Sequence, residues 1–310
     1  MNRKNLLLTI LSFIGVSATT QAQINILNAK SPEEIGIKSD QQKMLENDAP
    51  LPYGYVDEER DILYGTMVWE IIDLEQRVNF PLYYPTEDNL GTERRSLFNV
   101  LISAIENGEI TMVYGDSYFR TKKTLEEVKQ VFHYKELNDY GKDTWNQYLD
   151  LTEDELKERG ILTEEHYSTS QVTGADVIQY AIKGYWYFDA RQGELKYRLI
   201  GLCPMAIPAL DKLRDGDRGQ PIELFWVYFP DARETLHKAL VFNEANSATP
   251  YNFDHLLNAR RFSAVIYQKE NVYGDRKIED YMKDNAQLQL LEAERIKERI
   301  RDFEQDMWSY

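Results

Sequence analysis

The chain is 310 residues long, 43% hydrophobic and 28% charged, with 16 glycines and 10 prolines. That composition suits a globular protein of one large domain or two and argues against disordered, collagen-like and wholly coiled-coil chains. Acids outnumber bases 52 to 36, a formal net charge of -16, which argues against a general nucleic-acid binder or a polybasic lipid binder, since both need a cationic face.

In chain order, residues 1–22 read as a secretory signal peptide. Arg3 and Lys4 precede an apolar run at 6–18, and Thr20-Gln21-Ala22 supplies small residues where a signal peptidase cuts. No cysteine follows the run to take a lipid, and no later stretch approaches ~18 consecutive apolar residues, so no direct membrane insertion is expected. The only cysteine, Cys203, can form neither an intrachain disulfide nor a cysteine-rich zinc site. An exported chain without disulfides fits a bacterial periplasm. Residues 23–55, with Pro32, Pro50, Pro52 and Gly54, read as an extended arm with a short helix near 40–47. An arm laid on a partner and a free tail remain equally open.

Residues 56–280 form the expected body. A helix at 96–107 puts Leu97, Val100, Leu101, Ala104 and Ile105 on one apolar face. Thr124 with Glu127 and Thr152 with Glu155 are capping boxes, and Gly160 is a C-terminal stop. Asp231 is positioned to cap a helix at 232–239. Strands are expected at 110–114, 185–189, 195–200, 222–229 and 263–268, with a hairpin at Gly193. Strands that do not alternate with helices, together with a hairpin, predict an α+β fold. This is a mixed or antiparallel sheet with packed helices, an extended N-terminal arm and a long C-terminal helix. That helix falls within residues 281–310. Met282, Ala286, Gln289, Ala293, Ile296, Ile300, Phe303 and Met307 recur at alternating spacings of four and three, a heptad seam. The seam needs a cover, which its own body or a partner chain could provide.

Chemical motifs are sparse. His133, His166, His237 and His255 are scattered, and no H-E-x-x-H, G-x-S-x-G, P-loop or G-x-G-x-x-G pattern occurs. Cys203 sits among apolar neighbours, which raise a thiol's pKa and make it a poor nucleophile. The acidic stretch from Asp215 to Gly219 lacks the glycine and the glutamate of a calcium loop. No catalytic, cofactor-binding or metal-binding residue is therefore expected, and no cofactor. Aromatic residues do stand out. Tyr185-Trp186-Tyr187-Phe188 and Phe225-Trp226-Val227-Tyr228-Phe229 would place rings on both faces of a strand. Such a sheet is either covered on both sides within the fold, met by a partner, since large rings with polar tips suit protein interfaces, or stacked on a ligand such as a sugar. The partner-binding candidates are therefore Trp226, Tyr228 and Trp186, with Ile296, Ile300 and Phe303 from the seam.

Trp69-Glu70-Ile71-Ile72-Asp73, followed by Asn79-Phe80-Pro81-Leu82-Tyr83-Tyr84-Pro85, resembles the signature of the GldN/PorN family. Leu224-Phe225-Trp226-Val227-Tyr228-Phe229-Pro230 and Asn271-Val272-Tyr273 continue the resemblance in order. The resemblance implies a component of the Bacteroidota type IX secretion system that also supports gliding motility. It implies a periplasmic ring beneath the outer membrane, assembled from homologous neighbours with a GldK/PorK-type lipoprotein. GldM/PorM-type periplasmic motor domains are further implied neighbours. No catalytic residues carry over. The alternative reading is an exported, aromatic-lined carbohydrate- or peptidoglycan-binding module, and a weaker third is a hydrolase built on an acid pair.

Overall fold

The computed structural model describes residues 49–87, 94–148, 151–215, 219–241, 251–283 and 285–308. The expected signal peptide, the expected helix at 40–47 and residues 216–218 of the acidic stretch lie outside the described residues.

A one-turn helix, α1 (Glu58–Asp61), opens into β1 (Ile62–Asp73). A short turn carries buried Asn79. Its amide donates to the carbonyls of Asp73 and Ser263 at 2.6 and 3.0 Å and accepts from the Ser263 N–H at 2.8 Å, joining segments far apart in sequence. Helix α2 (Phe80–Tyr83) follows, then α3 (Leu97–Glu106), whose Ser96 cap accepts from the Asn99 N–H. Strands β2 (Val113–Tyr114) and β3 (Lys122–Lys123) precede α4 (Leu125–Phe132), begun by the Thr124–Glu127 capping box. Next come β4 (His133–Leu137), α5 (Asp139–Asn146) and α6 (Glu153–Glu158), the last with the Thr152–Glu155 box at its start. Beyond it, Gly160 takes the left-handed conformation at φ 70° that glycine tolerates best. After β5 (Tyr167–Gln171), the long strands β6 (Val177–Asp189) and β7 (Glu194–Ala206) form a hairpin through Gly193, at φ 66°. The remainder is α7 (Ala209–Asp215), β8 (Ile222–Glu223), β9 (Trp226–Tyr228), α8 (Phe229–Lys238), α9 (Phe253–Asn258), β10 (Val265–Lys269), α10 (Ile278–Tyr281) and α11 (Ala286–Trp308).

The main sheet runs β10-β1-β6-β7-β9-β2-β3, with β8 also on β7, and β4 pairs β5 separately. Every pairing is antiparallel, and the fold is α+β with a long C-terminal helix. Strand alternation divides the sheet into two faces. Ile72, Ile182, Leu202 and Val227 join Leu101, Leu236 and Leu256 of the helices in the largest core. Their neighbours Trp69, Ala181, Cys203 and Trp226 form a second cluster on the opposite face, beneath Phe119. Val68 shares the parity of Ile72 in β1, and there α11 lays Ala293, Ile296 and Ile300 against Val68, Ile266 and Ile278.

Several expected boundaries move. The strands read at 185–189 and 195–200 are the ends of two 13-residue strands, because Lys183, Gly184 and Gly201 interrupt the apolar pattern while the ladder runs on through a register shift between Lys183 and Gly184. Gly201 is required by a close approach, since a Cβ there would lie 2.6 Å from the Phe119 ring and 3.2 Å from Trp226. The strand at 222–229 divides into β8 and β9, and Phe229 already begins α8. Asp231 is an acid of the first turn and not the cap. Pro230 takes the position where its missing N–H is harmless, which starts the helix earlier. Central strand β1 and the β4–β5 pair are absent from the sequence reading.

Candidate functional site

The six sequence candidates occupy different places. Trp226 is fully buried, and its indole N–H donates to Glu223 Oε2 at 2.7 Å. Trp186 is half-buried between the Tyr197 ring, 5.0 Å away, and the Arg260 guanidinium, 4.9 Å away. It lies at the margin of the cluster holding Ile296 and Ile300, which are buried. Phe303, further along α11, stacks on Tyr64 with centroids 4.4 Å apart. Tyr228 alone is substantially open to solvent and meets Phe119 edge-on at 5.5 Å. Trp226, Ile296 and Ile300 therefore present no surface to a partner in this conformation. The two aromatic runs mostly fill the chain's own cores, so they build no open platform for stacking sugars.

Asn271-Val272-Tyr273 entered the sequence reading as a family motif and not among the partner candidates, yet it lies in a displayed loop at 271–275. Val272 is 92% exposed and Tyr273 72% exposed. The loop is braced beneath them. The Asn271 N–H donates to Asp275 Oδ1 and the Tyr273 N–H to Asn271 Oδ1, each at 2.9 Å. The Tyr118 hydroxyl holds Asp275 Oδ2 at 3.0 Å. Gly274 and Asp275 lie in the left-handed region, at φ 82° and 55°. Tyr118 is itself fixed by Lys183, whose ammonium sits 4.6 Å above the Tyr118 ring and 4.8 Å above Trp69 while donating to the Ser117 carbonyl. Burial pushes the Lys183 pKa down, against the opposing charges of Asp275, Glu270 and Asp116. The Asn-x-x-Gly-Asp pattern was the available signal, because Asn and Asp side chains that bond nearby N–H groups mark rigid turns.

The second feature is a cleft of about 740 Å³ between the hairpin-turn end of β6 and β7, helices α8 and α9, and residues 51–56. Residues 51–55 cross it as a strap. Arg233 donates to the Leu51 carbonyl at 2.7 Å, Arg198 to the Gly54 carbonyl at 3.3 Å and Arg191 to the Tyr55 carbonyl at 2.7 Å. The Tyr53 ring lies between the guanidiniums of Arg233 and Arg198, at 4.2 and 4.5 Å, and its hydroxyl donates to Asn258 Oδ1 at 3.1 Å. Burial raises the Tyr53 pKa, so its phenol stays a neutral donor at ordinary pH.

The carboxylates around this cleft are neutralised in place. Asp254 takes Arg233 bidentately at 2.8 and 3.2 Å. Asp189 is buried and receives Lys196 at 3.1 Å, with Arg191 at 3.5 Å. Desolvation would raise the Asp189 pKa, but the hydrogen bonds and charges of Lys196 and Arg191 outweigh it and hold the group below the usual carboxylate range. A carboxylate held ionised by neighbouring bases, as Asp189 is, suits structural pairing better than proton donation. On the other face of the sheet, burial pushes the Cys203 thiol well up, which suppresses thiolate chemistry. Among the described residues, no group of three or more His, Cys, Asp or Glu could hold a metal ion.

No individual curated protein matches the chain. The sequence model of the family described as gliding motility associated protein GldN does match, over residues 57–309. That span contains β1 with its Trp69-Glu70 motif, the aromatic stretch into α8, the displayed loop and α11. The chain thus belongs to the GldN family, which serves gliding motility and type IX secretion and is not a known family of enzymes.

Proposed function

We propose that the protein is a non-enzymatic structural subunit of the type IX secretion and gliding-motility apparatus. In this reading it works in the periplasm, forms a ring of like subunits with a GldK/PorK-type lipoprotein, and is held by that lipoprotein at the inner face of the outer membrane. GldM/PorM-type motor domains are its neighbours across the periplasm. The family match across the whole body and α11 is the observation that carries the reading. The leader-like residues 1–22 support export. The displayed Val272 and Tyr273 support a binding role, since a braced loop presenting apolar side chains loses little entropy on docking.

The test uses the loop. Val272→Ser with Tyr273→Ser should leave the melting temperature of the purified subunit nearly unchanged, because both side chains are largely exposed and the one ring contact, Arg276 over Tyr273 at 5.1 Å, lies at the surface. Co-purification with the lipoprotein should weaken by about tenfold or more, the loss of one aromatic anchor. Retained co-purification would remove the loop from the contact. Envelope association in a strain lacking the lipoprotein would overturn the anchoring scheme.

A further inference from the structure

We propose that the strap at residues 51–55 is an exchangeable peptide, and that in an assembly the strap of one copy lies in the arginine cleft of the next. The proposal rests on the reading of the protein as a subunit of an assembly of like copies. The cleft holds the strap through three backbone carbonyls and one ring. Its partners Arg191, Arg198, Arg233 and Asn258 all lie more than 130 residues away in sequence. These contacts require the peptide and not its covalent attachment. The same segment of a second copy would reproduce each of them, which is what makes exchange between identical chains energetically cheap.

Two observations favour the second copy as occupant. The first is charge. The chain carries -16, so copies repel, yet Pro50-Leu51-Pro52-Tyr53-Gly54-Tyr55-Val56 contains no charged residue. An uncharged peptide entering a cleft that presents arginines lets acidic copies meet without apposing their acidic surfaces. The second is exposure. Leu51 is 81% and Tyr55 78% exposed on the strap, apolar area that nothing among the described residues covers and that a neighbour lying over the cleft would bury. Pro50 and Pro52 also limit the strap's freedom when unbound, which reduces the entropy lost on docking in either arrangement.

The test is cross-linking of the full-length chain. An added Cβ at Gly54 meets nothing within 4 Å, and exposed His255 lines the same cleft. Buried Cys203 should not compete for reagent. Chains carrying only Gly54→Cys are mixed with chains carrying only His255→Cys and treated with a short bis-maleimide. Effective concentrations for a tethered segment are on the order of millimolar, so mixed covalent dimers should accumulate as the protein approaches ~1 mM. Tyr53→Ala in the strap-bearing chain, or Arg198→Ala in the cleft-bearing chain, should each lower that product about tenfold. The Gly54→Cys, His255→Cys double variant reports the strap in its own cleft. If it closes within one chain while the mixture gives no mixed dimer at ~1 mM, exchange is overturned. Mixed dimers insensitive to Tyr53→Ala would also overturn it, because the contact would then lie elsewhere. Neither result bears on co-purification with the lipoprotein, so a failure of exchange is distinguishable from a failure of the assembly reading.

Discussion

Glu70 and Arg260 meet across 190 positions of sequence. Both terminal nitrogens of the Arg260 guanidinium donate to a Glu70 oxygen at 2.8 Å, and Tyr197 donates to Glu70 at 3.2 Å. The guanidinium also covers the Tyr197 ring at 4.1 Å. Glu70 is buried, so removing its partner would strand a charge. Arg260→Ala should therefore destabilise the protein by about 3–5 kcal/mol in a denaturant titration, and Glu70→Leu with Arg260→Met should recover much of the loss. An equal loss in the single and double variants would show that the pair's charge balance is not what matters there. Cys203 behaves more simply. Cys203→Ser should lower stability by about 1–3 kcal/mol, because a hydroxyl is costlier to bury than a thiol, and should leave secretion intact. The two residues differ in legibility. The apolar neighbours of Cys203 announce its burial, whereas nothing near Glu70 in sequence names Arg260.

At the scale of elements, α11 shows how a local pattern and its cover separate. The four-and-three spacing correctly marks Ala293, Ile296 and Ile300 as the inward stripe. It overstates the first turn, where Ala286 is exposed and Leu288, Leu290 and Leu291 face outward. What covers the stripe is the chain's own β1, β10 and α10. Each fully buried apolar side chain is worth about 1.5–3 kcal/mol. Ile300→Asp with Phe303→Asp should thus lower the melting temperature of the isolated subunit clearly, since both charges would enter contacts within the chain. Normal melting with weakened assembly would instead mean that α11 leaves the sheet to bind a partner. Capping boxes stand at the opposite extreme. Thr124–Glu127 and Thr152–Glu155 close within four residues, so sequence locates them directly.

At the scale of the molecule, acid should loosen the joint between strap and body. Asp61, in α1, has a carboxyl held at about 2, first by the Arg60 hydrogen bond and then by the Asp57 N–H, with burial opposing and the charge of Arg191 assisting. Asp189 is lowered as well. Both groups are more acidic in the folded state than in the unfolded chain. Their stabilisation is therefore complete above the ordinary aspartate value near ~3.9 and is lost as pH falls through the folded values. Arg191 touches both carboxylates and also holds the strap at Tyr55. Proteolysis or fluorescence of Tyr53's surroundings should report strap release between about pH 4 and 2. Asp189→Asn should shift that release to higher pH or remove its pH dependence. A transition left unmoved by both Asp189→Asn and Asp61→Asn would place the acid-sensitive group elsewhere.

Local chemistry and composition were legible without any coordinates. The α+β class, the two capping boxes, the glycine stops, the hairpin at Gly193 and the inward stripe of α11 each depend on residues a few positions apart. The ordered aromatic motifs of the family are likewise written in short stretches. Features that depend on distant partners emerged only in the folded chain. Strand β1 sits between β6 and β10 because Trp69 and Val68 find covers on opposite faces, which no local spacing states. The aromatic runs became interior because helices and the 115–121 loop arrived to cover them. The last residues of the expected arm form a strap at 51–55 because Arg191, Arg198 and Arg233 converge on its carbonyls. Short-range patterns tell a segment which face to hide, and only the assembled chain supplies the surface that hides it.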